Sequence, residues 1–413
     1  MMASVRKERP AAAMLTGQVL CMLGMATYAV LLPVLQKEWQ LSNAQSGLIG
    51  SGFFLGYIST VTFWSTLTDR MDARRIYLLG CATSCVGLAL FGTARGFWLA
   101  LAAHMIYGVG VSATYMPGLK ILSDRYTGPT QSRVFSFYTA FYGLGGAISL
   151  ASTQWLSDHF GWRAAFASGA AGPLLAMVLV LSWTRAQPPA AAAPHMPGWR
   201  DVFPVQAWLG VLRHPRSRLF ITGYTVHCLE MFGARAWSVA FIVFAGGAAV
   251  GQAASRLPAT AGTIAAVLSL CSVGASILGN EVALRVGRER WIRFGMLASS
   301  LLGLAMAACA AAPWPVLLLV GLLYQMAVMA DSATLTAGLV EASAPGQRGA
   351  ALGLYSLLGF GGGMLGPACF GLALDATGSG QTVGSWISGF AVLGAGCFIF
   401  GLYQFFYSRS GRA

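Results

Sequence analysis

Apolar residues run along this chain in long blocks, with none of the strict alternation of a half-buried strand. Twelve blocks are about 20 residues or longer, enough to cross a lipid bilayer as helices. They are 14–35, 47–68, 76–94, 97–120, 133–156, 164–184, 218–246, 259–280, 292–311, 314–338, 349–373 and 385–407. Numbered as spans 1 to 12, they predict an all-α membrane protein. The 52 glycines suit close helix packing in lipid. Span 1 follows the basic run Arg6-Lys7-Glu8-Arg9 and opens like a secretory leader. Its apolar part is too long for a cleaved leader, so it is expected to remain as the first helix.

Composition agrees with the pattern. Of 413 residues, 56% are hydrophobic and 9% charged, against about 25% charged in a soluble domain. A soluble globular protein is therefore excluded. The net charge of +13 (26 Lys and Arg, 13 Asp and Glu) raises the question of a nucleic-acid partner. The positions of the basic residues answer it. With the N-terminus inside, 21 of them fall in inner segments, in the tail, the loops and the C-terminus. Four fall outside (Lys37, Arg95, Arg163 and Arg256) and one, Arg235, lies within a span. Positive residues accumulate on the cytoplasmic side of membrane proteins. Both termini are thus expected in the cytoplasm of a bacterial inner-membrane protein, with the bilayer as partner and no nucleic acid. All eight cysteines lie in spans, without C-x-x-C or zinc spacing. They read as packing residues, and no metal or cofactor is expected.

The longest loop, 185–217, separates six spans from six, giving an N-terminal bundle 1–184, a cytoplasmic linker and a C-terminal bundle 218–413. The linker holds a proline-alanine patch, Gln187–Pro194, expected to be flexible or extended. Beyond it, Trp199, Phe203, Trp208 and Leu212 recur at about helical spacing, interrupted by Pro204. They suggest either a helix on the membrane surface or an ordinary linker. The halves match at an offset of 215 to 217 residues. Asp69–Arg75 aligns with Leu284–Arg290, Pro129–Arg133 with Ala344–Arg348, and Asp158–Gly161 with Asp375–Gly378. Duplicated six-helix units that rock about a midplane site are a transporter architecture.

The residues after span 2, Ser65-Thr-Leu-Thr-Asp69-Arg70-Met-Asp72-Ala-Arg74-Arg75, resemble the loop signature G-x-x-x-D-R-x-G-R-[KR] of the major facilitator superfamily. Ser65 and Asp72 stand at its two glycine positions. The resemblance covers essentially the whole chain and implies two pseudo-twofold-related six-helix bundles. It also implies that Asp69, Arg70 and Arg74 make gating contacts at the cytoplasmic rim. Arg133, Arg285, Arg288 and Arg348, in the corresponding inner loops, join that expectation. In span 4, Leu101-Ala-Ala-His104-Met-Ile-Tyr107-Gly108-Val-Gly110 resembles a family pattern in which Arg stands at the His104 position. A His, unlike an Arg, can change charge near neutral pH. The Gly361-Gly-Gly363-Met-Leu-Gly366 match to a dinucleotide fingerprint lies inside an apolar span, so it reads as helix packing.

Charge at membrane depth is costly and usually faces a cavity. Span 7 carries His227, Glu230 and Arg235. His227 and Glu230, three residues apart, share a face. By resemblance, spans 1, 4, 7 and 10 line the cavity, and the polar residues concentrate there. Arg235 is expected to bind an anionic group through its planar fork. His104, Tyr107, Tyr28, Gln325 and Tyr224 complete the expected substrate contacts. Glu230, Asp331 and His227 are expected to carry the coupling proton. The rival for Arg235 is a structural pair with Glu230 or Asp331.

The leading expectation is a monomeric, proton-coupled symporter of small organic anions such as carboxylates. Efflux of amphipathic or cationic drugs is the alternative, and a non-transporting sensor on the same scaffold is the alternative of another class. No hydrolase, zinc-protease or P-loop motif is present, so neither an enzyme nor an ATP-driven pump is expected.

Overall fold

The computed structural model describes residues 9–187, 198–248, 259–344 and 347–409. The leader residues Arg6 and Lys7, most of the proline-alanine patch, Arg256, part of the Ala344–Arg348 repeat match and Arg412 lie outside them. The described residues form helices with short turns, and twelve of these helices are long and apolar enough to cross a membrane. The spans are Pro10–Glu38, Asn43–Leu67, Ala73–Gly92, Phe97–Ser123, Arg133–Phe160, Trp162–Trp183, Pro215–Gly247, Ala261–Val286, Arg288–Ala311, Trp314–Ala342, Arg348–Ala376 and Val383–Phe406. Each predicted span coincides with an observed one, its ends moved by a few residues. Helices are what lipid demands, because each backbone N–H and C=O must be satisfied within its own segment.

The surface is apolar where a soluble protein's would be polar. Leu79, Val86, Leu174, Leu175, Val178 and Leu181 are all exposed on spans 3 and 6. Trp98, Trp155 and Phe160, near the start of span 4 and the end of span 5, are exposed too, where a membrane-interface aromatic belt would sit. The positive φ of Gly161 (81°) ends span 5 and that of Gly378 (113°) follows span 11. These two glycines are equivalent in the repeat alignment.

By packing, the described chain forms two compact units. One holds the residues up to Thr27 and Leu55–Phe203; the other holds Tyr28–Phe54 and everything from Pro204 onward. In the first unit span 3 packs on spans 4 and 6, and span 1 on spans 5 and 6. In the second, span 7 packs along span 11 and span 9 along span 12. Spans 7 and 11 approach so closely that a Cβ on Gly362 or Gly366 would collide with the carbonyl oxygens of Thr225 and Leu229. The linker contains two short helices, Trp199–Val202 and Val205–Arg213, interrupted at Phe203 and Pro204.

Two spans are interrupted. Span 1 opens into a turn at residues 23–26. There Ser149 Oγ of span 5 donates to the Leu23 carbonyl at 2.7 Å and accepts from the Ala26 N–H at 3.0 Å. Span 10 breaks at Ala330 and Asp331, where Trp291 Nε1 donates to the Ala330 carbonyl at 2.9 Å. Neighbouring side chains thus satisfy the backbone groups that the breaks release.

Candidate functional site

Span 7 brings Tyr224, His227, Glu230 and Arg235 into the second unit. His227 and Glu230 are each only 2% exposed. Each finds its partner on a different neighbour. His227 Nδ1 lies 2.9 Å from Asp331 Oδ1 at the break in span 10. Glu230 Oε2 accepts from Ser299 Oγ of span 9 at 2.8 Å. Tyr324 and Cys397 stand beside the same carboxyl. His227 Nε2 and Thr334 Oγ1 are buried with no hydrogen-bond partner among the described residues. Buried polar groups are normally bonded, so these two atoms stand out within the cluster.

Asp331 sits at the break, where the regular helical ladder is already lost. The span 10 backbone is held there by Trp291, and Gly279 of span 8 leaves room for the Ala330 carbonyl. The His227 ring that faces Asp331 is itself stacked on Tyr224, at 5.9 Å between centroids. Tyr224 in turn stacks face to face on Tyr355 at 3.7 Å, and the Tyr355 hydroxyl meets Thr336 Oγ1 at 2.9 Å.

Arg235 is half-buried, little more than one turn beyond Glu230. Its Nη2 lies 3.3 Å from Met329 Sδ, and its guanidinium carbon lies 6.0 Å from the centre of the Phe232 ring. Phe232 belongs to an aromatic cluster with Phe54 and Phe360, at centroid distances of 4.6 Å and 5.7 Å. The partners described for Glu230 and Asp331 are thus Ser299 and His227. Gln325 of span 10 is half-buried. Tyr28 is buried, and its hydroxyl donates to the Ser46 carbonyl at 2.7 Å.

In the first unit His104 is 5% exposed. Its ring meets the edge of Phe91 at 5.7 Å and stacks with Tyr107 at 6.2 Å. The Tyr107 hydroxyl donates to the Cys21 carbonyl at 3.3 Å.

Of the expected gating residues, Arg70, Arg74 and Arg288 meet partners within their own units. Asp69 is exposed. Arg70 Nη2 meets Asp201 Oδ2 of the linker at 2.8 Å. That carboxylate is also bonded by the Gly198 N–H at 3.1 Å. The Gly198 bond first, and then Arg70, hold the Asp201 carboxyl below its ordinary range. Arg74 reaches Thr184 Oγ1 and the Leu181 carbonyl at the end of span 6. Asp72, at a glycine position of the family signature, accepts from the Arg74 N–H at 2.9 Å and caps span 3. In the second unit Arg288 forks onto Glu341 at 2.6 and 3.1 Å and also donates to Asn280. Arg133, Arg285 and Arg348 are exposed.

Sequence reasoning missed Ser299, Tyr355, Asp201, Glu341 and Asn280. Ser299 was visible as one of two adjacent serines in an apolar span, and Glu341 as an acid among inner-loop arginines. Nothing in the sequence pointed to the stack of Tyr355 on Tyr224.

Known transporters are similar to this chain in sequence and in fold. A niacin transporter of Acinetobacter baylyi is 27% identical over 157 residues, which is 37% of this chain and 35% of that protein. A probable 4-methylmuconolactone transporter of Cupriavidus pinatubonensis is 24% identical over 170 residues, 40% of this chain and 39% of that protein. The match thus spans little more than a third of these relatives. Among solved structures, a mutant form of the nucleoside transporter NupG superposes with a TM-score of 0.77 at 13% identity, covering 96% of this chain and 99% of that one. At that identity the likeness is one of fold. The sequence profile of the Major Facilitator Superfamily matches residues 14–259, more than half of the chain, and this multi-pass membrane protein belongs to that family.

Proposed function

We propose that the chain is a secondary active transporter of small organic anions, working by alternating access and coupled to protons. The observation that carries this reading is a buried cluster shared by spans 7 and 10: Glu230 and His227 of span 7 and Asp331 of span 10, with Arg235 close by on span 7. Arg235 is the anion-binding group, since a guanidinium takes a carboxylate through two parallel N–H bonds. The adjoining Phe232 ring offers an apolar face to the rest of the molecule. Relatives named for niacin and 4-methylmuconolactone transport support a small organic anion.

Glu230, Asp331 and His227 carry the coupling proton. A carboxyl buried in lipid is costly when charged. The proton is taken up on one side and released on the other as access changes. His104, Gln325 and Tyr224 are the further substrate contacts. Tyr28 and Tyr107 contribute ring faces, because their hydroxyls are engaged with backbone carbonyls. The moving bodies are the sequence halves 1–184 and 218–413, joined by the linker. Arg70, Arg74 and Arg288 exchange the partners seen here for others as those halves move, and Asp69, Arg133, Arg285 and Arg348 join the gate. The excess of basic residues in inner loops supports a bacterial inner-membrane orientation with both termini in the cytoplasm.

The test is ligand-dependent thermal stability of the purified protein against carboxylates, inorganic anions, sugars, amino acids and cationic drugs. A ligand at 100 times its dissociation constant adds about 2.7 kcal/mol to the bound state. The expected result is a shift with carboxylates that Arg235→Gln abolishes, followed by carboxylate counterflow in proteoliposomes. A shift with cationic drugs alone, surviving in Arg235→Gln, would overturn the anion reading.

A further inference from the structure

Span 2 is one unbroken helix from Asn43 to Leu67, and its two halves are held differently. Its second half is locked to span 4. A Cβ on Gly56 would collide with the Met105 carbonyl, and Thr60 Oγ1 meets Ser112 Oγ at 2.9 Å. Its first half lies along span 11. Gly47 sits against the Pro367 carbonyl, Gly371 sits against the Asn43 carbonyl, and Ser51 Oγ donates to the Met364 carbonyl.

The start of this seam is polar. The Asp375 carboxylate, at the end of span 11, takes three hydrogen bonds from the first turn of span 2. Oδ1 accepts from Asn43 N–H at 3.1 Å and from Asn43 Nδ2 at 2.7 Å, and Oδ2 accepts from Ala44 N–H at 2.8 Å. Asn43 Oδ1 in turn accepts from Gln36 Nε2 at 2.8 Å, which brings the end of span 1 into the same network. A helix has unsatisfied N–H groups and a partial positive charge at its N-terminus. The local Ser42 hydroxyl takes the Gln45 N–H at 3.1 Å. The only carboxylate bonded to this terminus among the described residues comes from Asp375, 332 positions from Asn43 in the chain.

We propose that Asp375 is the latch that holds the first half of span 2 against span 11, and that its release opens this end of the transporter. The argument is mechanical. A continuous helix fixed to span 4 moves with the N-terminal spans. If the sequence halves rock apart at this end, the seam between spans 2 and 11 is the one that parts. Its other contacts are close apolar approaches and single hydroxyl bonds, which separate cheaply. Three bonds donated by a helix N-terminus to one carboxylate do not. By the charge asymmetry of the loops, this end faces outward. The inference rests on alternating access and not on the identity of the substrate or the coupling ion.

The experiment is maleimide labelling of Ser51→Cys in nanodiscs, where both faces are accessible and neither substrate nor gradient is needed. Ser51 is 5% exposed and lies on the seam, and its peptide is read by mass spectrometry apart from the native cysteines. Asp375→Asn is expected to raise the labelling rate about fivefold, the shift that about 1 kcal/mol of charge–dipole attraction gives, and Asp375→Ala to raise it further. Labelling of a cysteine at Ser65, near the other end of the same helix, should fall in step, because opening one end closes the other. Mere loosening would raise the first without lowering the second. Asp158→Asn, the repeat counterpart, whose carboxylate is bonded by Gln154 at 2.9 Å within its own helix, should leave both rates unchanged. Unchanged Ser51→Cys labelling in folded Asp375 variants would overturn the latch, as would an unchanged Ser65→Cys rate or an equal effect of Asp158→Asn. Should Asp375→Ala not fold, Asn43→Ala removes the Nδ2 bond alone. It must then give a smaller rise, and no rise refutes the proposal. Failure here leaves the anion and proton reading standing, and failure of that reading leaves this result unaffected.

Discussion

If Glu230 carries the coupling proton, as proposed, replacing it by Gln is expected to separate proton coupling from translocation. The amide keeps the side chain's size and an oxygen for the Ser299 hydroxyl, which now donates to Oε2 at 2.8 Å. Ser299 also donates to the Met296 carbonyl at 3.1 Å, so its hydroxyl stays satisfied either way. The folded state therefore keeps the Ser299 bond, and the expected loss of stability is small, about 1 kcal/mol. The coupling loses much more. A pH difference of one unit stores about 1.4 kcal/mol per proton, which for an anion carried with one proton is about tenfold accumulation. The assay is uptake of a radiolabelled carboxylate into proteoliposomes under that gradient, beside counterflow with the same solute on both sides and no gradient. The wild type is expected to accumulate about tenfold and the variant about onefold. Counterflow should persist in the variant, since exchange of loaded carriers requires no deprotonation. A variant that accumulates like the wild type would refute the role of Glu230. Loss of accumulation and counterflow together, with binding intact, would show that Glu230 serves translocation and not coupling.

Other consequences are open to measurement. Asp72→Ala removes the cap of span 3 and should lower stability by about 1 kcal/mol, read from the unfolding midpoint, with transport largely kept. Gly362→Val forces a side chain into the Thr225 carbonyl across the contact of spans 7 and 11. Overpacking of this kind costs about 1–3 kcal/mol, and the melting midpoint should fall more than for Gly361→Val, where a Cβ meets open space. The Asp201 contact with Arg70 predicts a pH dependence. The carboxyl is held below its ordinary 3.8 by the Gly198 N–H and then by Arg70. Its contribution is therefore full above that ordinary value and is lost as pH falls below it through the folded value. Hydrogen exchange over residues 198–203, corrected for the intrinsic rate at each pH, should lose protection in acid, and Asp201→Asn should show that loss already at neutral pH.

The twelve spans and the membrane class were legible in the chain because lipid imposes one rule, about 20 apolar residues per crossing with every backbone group satisfied internally. The chemistry-bearing residues of span 7 were legible for a related reason: charge in an apolar block is costly and stands out. Helical spacing even put His227 and Glu230 on one face. Their partners were not legible. His227 meets Asp331 and Glu230 meets Ser299, choices made by which helices cross at which height. Arg70 shows the same limit. The loop motif marks it as a gating residue, but only the folded chain brings it to Asp201 of the linker. Asp375 was visible only as half of a repeat match, with no sign that it caps a helix at Asn43. A chain declares locally what each segment buries in lipid. Polar partners more than a helix turn apart are decided by tertiary packing, because hydrogen bonds act over about 3 Å and sequence distance carries no information at that range.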